Sequence, residues 1–339
     1  MLQLDHSKLT MSKVQNNFLS ENSWIVNSQL QTPVLLLTFK RLDTTRRVLA
    51  AIREAKPSYL YVAGDGPRSN YPGEAEKVQA VREYVVNNVD WECQVGTLFR
   101  EQNLGGPVAV TQALTWFFDQ VSEGIILEDD CLPTPSFFHF CETMLERYRY
   151  DDRILMVSGR NPCPEFTPDG AKNYFFANIG KTWGWATWKR AFHGFTLDLP
   201  SPEDTSFMSQ LREASGSAAE FKNAKRNLLK MNSHNYTHWD YLWNVRQIIE
   251  KKYAIFPCKN MITNIGYGPE ATHTKQGKEP LPVFNVQSNF PSEEIYDKKF
   301  SRHMIEKKHG SWFKFWTNLC RQKVKSRVYF LLKKLTTSI

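Results

Sequence analysis

Gly124-Ile125-Ile126-Leu127-Glu128-Asp129-Asp130-Cys131-Leu132-Pro133-Thr134-Pro135 is the stretch that decides how this chain is read. Three β-formers run straight into three consecutive acids. A Pro-Thr-Pro break follows, then an amphipathic run from Phe137 to Tyr148. The apolar run predicts a buried parallel strand, and the amphipathic run predicts a helix. In open α/β sheets, ligands bind outside the carboxyl ends of the strands. Carboxylates at such an end suit a hard divalent cation, since Mg²⁺ is usually held by one or two carboxylates together with substrate phosphates. Taken alone, the same triplet also reads as a solvated acidic turn, because charged side chains mostly lie exposed.

Outward from this stretch, the N-terminal side repeats one theme. Pro33–Phe39 reads as a buried strand, and Asp43 as the cap of a helix reaching Arg53. Tyr59–Ala63 is a second strand, closed by the turn signal Gly64-Asp65-Gly66-Pro67. Glu74–Asn88 is expected to be helical and Cys93–Phe99 a third strand. Asn103-Leu104-Gly105-Gly106-Pro107 then opens a helix to Asp119. Strand and helix in alternation predict an α/β fold, with a Rossmann-like, mostly parallel sheet flanked by helices and right-handed crossovers.

Beyond Tyr150 the pattern is mixed. Ile154–Ser158, Tyr174–Ala177 and Ala254–Pro257 read as strands. Trp183–Trp188 reads as the opening of a short helix, Ser206–Met231 as largely helical, and Trp239 as the start of a helix to about Lys251. Thr263–Lys278, rich in Gly, Thr and Asn, reads as a mobile loop that orders over a ligand.

The 339 residues, 41% of them hydrophobic, suffice for a large core. The formal charge of +8 is concentrated at one end. Trp312–Ile339 carries Lys314, Arg321, Lys323, Lys325, Arg327, Lys333 and Lys334 and no acid, so the rest is nearly neutral. That distribution argues against nucleic acid as a partner. Phe313–Leu335 reads as a basic amphipathic helix, suited to an anionic membrane surface or to docking on the domain. The six cysteines show no Cys-x-x-Cys, which argues against zinc and favours a reduced compartment. Without a signal peptide or about 18 consecutive apolar residues, the expected location is the cytoplasm or a membrane face.

Seven pieces occur in an order that resembles a GT-A glycosyltransferase of the N-acetylglucosaminyltransferase I type and its bacterial relatives. They are Pro33–Leu49, Gly64-Asp65-Gly66, Glu128-Asp129-Asp130 with the following PTPSFFHF, Ser158-Gly159-Arg160-Asn161, Trp183-Gly184-Trp185, Trp239-Asp240 and Ile262–Thr274. The resemblance implies a nucleotide-sugar donor, Mn²⁺ or Mg²⁺, a glycan or lipid-linked sugar acceptor, and transfer with inversion. It divides the chain into a lead-in (1–31), a nucleotide-sugar-binding half (32–150), an acceptor half (151–290) and the basic tail (291–339). It lacks the N-terminal anchor of the eukaryotic enzymes, so their lumenal setting does not carry over.

By the same resemblance Asp130 is the direct metal ligand, Asp129 contacts ribose or sugar hydroxyls, and Glu128 contacts the donor sugar. Trp183 and Gly184 fall on the donor side. Thr38, Phe39 and Arg41 follow the first strand and Asp65 the second. An aspartate there can accept from a uracil N–H, and an arginine can pair with phosphate or ribose oxygens. A helix-capping Arg and an ordinary turn Asp remain open alternatives. Asp240 matches the base that removes the acceptor proton, although an acid at a helix start also serves the helix dipole. His273 reads either as a ligand of metal or phosphate or as a hydrogen-bonded loop residue. Trp239 and Trp243 read as sugar platforms or core, with core favoured for Trp243. Two other functions compete. A sugar nucleotidyltransferase normally carries a Gly-rich phosphate loop after the first strand, whereas Thr38-Phe39-Lys40-Arg41-Leu42-Asp43 has no glycine. A catalytically silent membrane-associated binding protein would not need both the acidic triplet and Asp240.

Overall fold

The structure is a computed structural model, and it describes residues 29–198, 201–231, 238–267, 283, 295–297 and 299–309. The strands are β1 (Val34–Thr38), β2 (Tyr59–Gly64), β3 (Gln94–Phe99), β4 (Glu123–Glu128), β5 (Cys131–Pro133), β6 (Ile154–Ser158), β7 (Tyr174–Ala177), β8 (Trp185–Trp188), β9 (Tyr253–Pro257) and β10 (Ile262–Asn264). The helices are α1 (Leu42–Ala55), α2 (Glu74–Asn87), α3 (Gly106–Gln120), α4 (Pro135–Arg147), α5 (Lys189–Phe192), α6 (Thr205–Ala214), α7 (Ala218–Met231), α8 (Asp240–Ile249) and α9 (Lys299–His309).

Eight strands form one mostly parallel sheet in the order β3-β2-β1-β4-β8-β6-β9-β7, with β8 and β7 running against the rest. β1 is the pivot. It pairs in parallel with β2 on one side and β4 on the other, Leu37 facing Glu128 across the β1–β4 pair. The first connection runs outward to β2 and β3, and the chain then returns to the opposite side of β1. The β1–β4 crevice is therefore a topological switch point, where open α/β sheets bind ligands. Every residue of β1 is buried, as a strand covered on both faces requires. The main core spans the whole sheet, and a satellite core of Phe207, Leu211, Phe221, Leu228, Leu242 and Ile248 joins α6, α7 and α8.

The structure corrects several local expectations. Asp43 is not a cap: it lies in the first turn of α1, whose N-cap is Arg41, with the Thr44 and Thr45 hydroxyls donating back to the Arg41 carbonyl. The tryptophan-rich segment is strand β8, not a helix opening. β4 and β6 bond it on both edges, and Trp185–Trp188 are all buried, an environment that favours aromatic and β-branched residues in a strand. The short helix begins only at Lys189. The 206–231 segment is two helices, the first capped by Asp204, which accepts from the Ser206 and Phe207 amides. Thr263 and Asn264 belong to β10, which pairs antiparallel with β5 directly after the acids. The rest of that loop from residue 268 to 278, His273 with it, lies outside the described residues, as do the lead-in to residue 28 and the tail from residue 310. Among the described residues, no helix is long and apolar enough to cross a membrane, and no cysteine is in a disulfide.

Candidate active site

Local sequence explains why polar groups gather at the tips of β1, β2 and β4. The three apolar strand bodies are consumed by the core, and each chain emerges at the same edge into a polar residue: Thr38, Asp65 or Glu128. A cavity of about 470 Å³ opens there. Thr38, Phe39, Arg41, Asp65, Glu128, Asp129, Asp130 and Trp183 all line it. Its size falls within the range of small-molecule sites, roughly 300–1,000 Å³.

The acids are not free in this state. Arg41, seated at the start of α1, bridges them. One guanidinium nitrogen pairs with Asp129, and the other donates to Asp130 Oδ2 at 2.9 Å. Burial alone would lower the Arg41 pKa, but the two carboxylates outweigh it and hold the group firmly charged. Burial pushes Glu128 up to about 8, helped by the charges of Asp130, Asp129 and Asp240 and opposed by Arg41. Burial likewise raises Asp129 to about 6, against the pull of Arg41 and the Phe39 amide. Asp129 Oδ2 is buried with no hydrogen-bond partner. An acceptor oxygen left bare at this cost calls for a donor or a cation. Glu128, Asp130 and Cys131 each offer an atom within 4.8 Å of the others. A hard divalent ion fits the carboxylates of this group. The Cys131 thiol does not suit it, since a hard ion takes oxygen ligands and sulfur is soft.

Asp65 is engaged by the backbone. Its carboxylate accepts from the amides of Gly66 (2.9 Å), Leu104 (3.0 Å) and Gly105 (3.0 Å). It thereby fixes the turn that leads into α3 while remaining on the cavity wall. Thr38 Oγ1 donates to the Ala63 carbonyl. Gly184 does not line the cavity; it has φ +61, and a Cβ there would collide with Ile262. Gly266 has to be glycine for a related reason: a Cβ would meet Asp130 and Arg41. Asp240 opens α8 and does not line the cavity; its charge is the smallest of the acidic contributions that raise Glu128. Trp239 and Trp243 are buried and pack on Trp185 at 5.6 and 5.5 Å.

Sequence reading missed Arg68, Arg100 and Asn264 as cavity residues. Arg100 could have been found, because it directly follows the tip of β3. Arg68 is held by Glu74 and stacks on Tyr71, contacts with no local signature. Arg160, within Ser158–Asn161, has no local pattern that marks it as a site residue. Its guanidinium lies 3.8 Å from the ring centroid of Trp183.

No family model matches this chain, and no curated protein matches it significantly. Solved structures with partial likeness include a UDP-glucose pyrophosphorylase complexed with UDP-glucose (9% identity, 67% of this chain, 90% of that one, TM-score 0.35). HddC from Yersinia pseudotuberculosis is similar over 52% of this chain and 84% of its own, at 10% identity and TM-score 0.32. An inositol-1-phosphate CTP transferase from T. maritima is similar over 50% and 77%, at 11% identity and TM-score 0.29. Values this low leave the activity to be argued from the site itself.

Proposed function

We propose that this protein is a divalent-metal-dependent glycosyltransferase that moves a sugar, with inversion, from a uridine diphosphate sugar to a glycan or lipid-linked acceptor. The observation that carries the reading is the acidic turn, with one buried and unpartnered carboxylate oxygen, on the wall of a cavity of small-molecule size at the β1–β4 switch point. The acidic turn would supply oxygens for an ion at the tip of β4, and Asp240, outside the cavity lining but among the charges that raise Glu128, would supply the base. In the proposed reaction, the acceptor hydroxyl attacks the anomeric carbon as the bond to the diphosphate breaks. Asp240 takes the hydroxyl proton. Mn²⁺ or Mg²⁺ held by Asp130 and Glu128 would neutralise the leaving diphosphate. Arg41 would then exchange its present carboxylate partners for phosphate oxygens, a geometry that suits its forked donors. Asp65 would read the uracil N–H with its remaining acceptor capacity.

Nucleotidyl transfer, in which a sugar phosphate attacks a nucleoside triphosphate and pyrophosphate leaves, is the second reading. It would use the same cavity and the same acidic turn, and a pyrophosphorylase and a CTP transferase are among the partly similar structures. One experiment separates the two. The protein is incubated with Mn²⁺ and either a panel of UDP-sugars or UTP plus sugar 1-phosphates, and products are followed by phosphorus NMR. Release of UDP from a UDP-sugar supports glycosyl transfer; pyrophosphate from UTP supports nucleotidyl transfer. Titration calorimetry with UDP and GDP tests the base assignment, and tighter GDP binding would overturn it.

A further inference from the structure

α9 brings together a second set of candidate ligands, none of which lines the cavity. The helix begins where Asp297 accepts from the Lys299 and Phe300 amides. Phe300, fully buried, packs on Phe175 and Phe256 at 4.8 and 4.9 Å, which fixes the rotation of the helix about its axis. His303 follows three residues later on the same face. Its ring stacks on Phe166 at 4.9 Å.

The opposing wall is the β6–β7 connection, and it is equally constrained. The Asn161 side chain donates to the Pro257 and Cys258 carbonyls and accepts from the Cys163 amide. The Phe166 amide closes a turn on the Cys163 carbonyl at 2.9 Å. That turn holds Cys163 and Glu165 against α9. Cys163, Glu165 and His303 each offer a ligand atom within 4.8 Å of the others. His303 Nε2 is buried and has no hydrogen-bond partner. Glu165 Oε1 lies 3.7 Å from it, too far for a hydrogen bond. That spacing is close to the separation of about 3.3 Å between two ligand atoms on one tetrahedral ion with bonds of about 2.0–2.2 Å.

We propose that Cys163, Glu165 and His303 form a binding site for a zinc-class divalent ion, with water completing the shell, which ties α9 to the β6–β7 connection. The donor set selects the class. Sulfur, imidazole nitrogen and carboxylate oxygen together suit Zn²⁺, whereas Mg²⁺ and Ca²⁺ call for oxygen throughout. The absence of Cys-x-x-Cys pointed away from zinc, but such spacing marks only sites built from neighbouring residues. Here the ligands come from two segments about 140 residues apart in the sequence. On binding, Cys163 gives up its proton to solvent and ligates as thiolate. Lys307 is the competitor. Its Nζ donates to Glu165 Oε1 at 2.7 Å and to the Pro162 carbonyl, and its side chain is exposed enough to swing into water when an ion takes Glu165.

The test uses the full chain and Co²⁺ as a spectroscopic stand-in for zinc. The wild type should develop a thiolate-to-cobalt charge-transfer band in the near ultraviolet, and Zn²⁺ should abolish it. Cys163→Ser should lack the band and Cys131→Ser should keep it. His303→Gln, at a half-exposed position that tolerates change, should bind Co²⁺ at least about tenfold more weakly. Lys307→Gln, which removes only the competing cation, should bind it severalfold more tightly. The proposal is overturned if the wild type shows no band, if Cys163→Ser retains it, or if Cys131→Ser loses it, since the last result puts the ion at the acidic turn. Equal affinity in the wild type and both helix variants overturns it as well. None of these outcomes depends on whether the cavity transfers sugars.

Discussion

Two clusters of potential metal ligands are built on the same sheet, and they differ in their atoms and in the cation that holds them. At the tip of β4, Glu128 and Asp130 offer oxygens, and Arg41 already spans Asp129 and Asp130. Beside α9 the set is sulfur, nitrogen and oxygen, and Lys307 pairs with one of the three, Glu165, besides the Pro162 carbonyl. Arginine is always charged and forked, so it is a strong resident competitor, and an ion displaces it best when a diphosphate arrives to receive it. Lysine is a single mobile charge that leaves for water more readily. On the two proposals, the first cluster would take an ion that comes with substrate and the second an ion that stays.

The largest expected effect separates the two clusters by activity. Asp130→Ala should reduce Mn²⁺-dependent UDP release by about 10³-fold or more, which corresponds to roughly 4 kcal/mol of barrier. Cys163→Ser should leave the same rate within about twofold, since the second ion is proposed only to tie α9 down. Full turnover in excess EDTA would remove the metal from the acidic turn. A large rate loss in Cys163→Ser with an unchanged melting temperature would mean that the clusters share one function.

The next effect asks whether the acidic turn works with α8. Asp240→Asn keeps the shape of a helix-start residue, so the fold should hold. The turnover number should fall by about 10²–10⁴-fold while UDP affinity in the presence of Mn²⁺ stays unchanged. Loss of stability with retained turnover would make Asp240 a structural acid, and a product of retained anomeric configuration would count against the base role.

A smaller effect concerns Arg160, stacked on Trp183 with no hydrogen bond or ion pair among the described residues. Burial lowers its pKa, so it is a cation short of an anion. Arg160→Gln should weaken UDP binding by about tenfold, in line with the loss of one charge-assisted contact, and leave uridine binding unchanged. Equal loss for both ligands would show that Arg160 only positions Trp183.

Much of the β3-β2-β1-β4 half of the sheet is readable because buried parallel strands are continuous apolar runs. Pro33–Phe39 and Gly124–Leu127 announce themselves in that way, and the polar residue that ends each run marks the ligand edge. β8 misled because a central strand buried on both faces shows no alternation, and Trp185-Ala186-Thr187-Trp188 has no period of its own. β5 and β10 are three-residue strands that exist only through their mutual pairing. The same non-locality hid what the site residues already touch. Arg41 meets acids 88 residues away, and Asp65 binds amides about 40 residues away. No window of sequence contains either contact.

The smallest effect uses a carboxylate outside both ligand sets. Glu220 on α7 is buried, and burial raises its pKa to about 7, against the Gly216 amide and the Asn178 side chain that donate to it. A folded-state pKa above the unfolded value means that the native state binds the proton more tightly. Below about pH 4.5 both states are protonated and the group is neutral in effect. As pH rises toward 7 the unfolded chain ionises first, so stability falls, and above 7 the deficit stays constant. Its size is on the order of 1–3 kcal/mol. Glu220→Gln cannot ionise. It loses one acceptor for the two donors, a constant cost, but it should show a flatter stability profile between about pH 4.5 and 7 than the wild type. Chemical denaturation at several pH values measures this slope, and neither Mn²⁺ nor Zn²⁺ should alter the difference. Parallel profiles for the two proteins would show that Glu220 is held ionised by its two donors at all these pH values, and a difference that shrinks with either metal would link α7 to one of the ligand clusters.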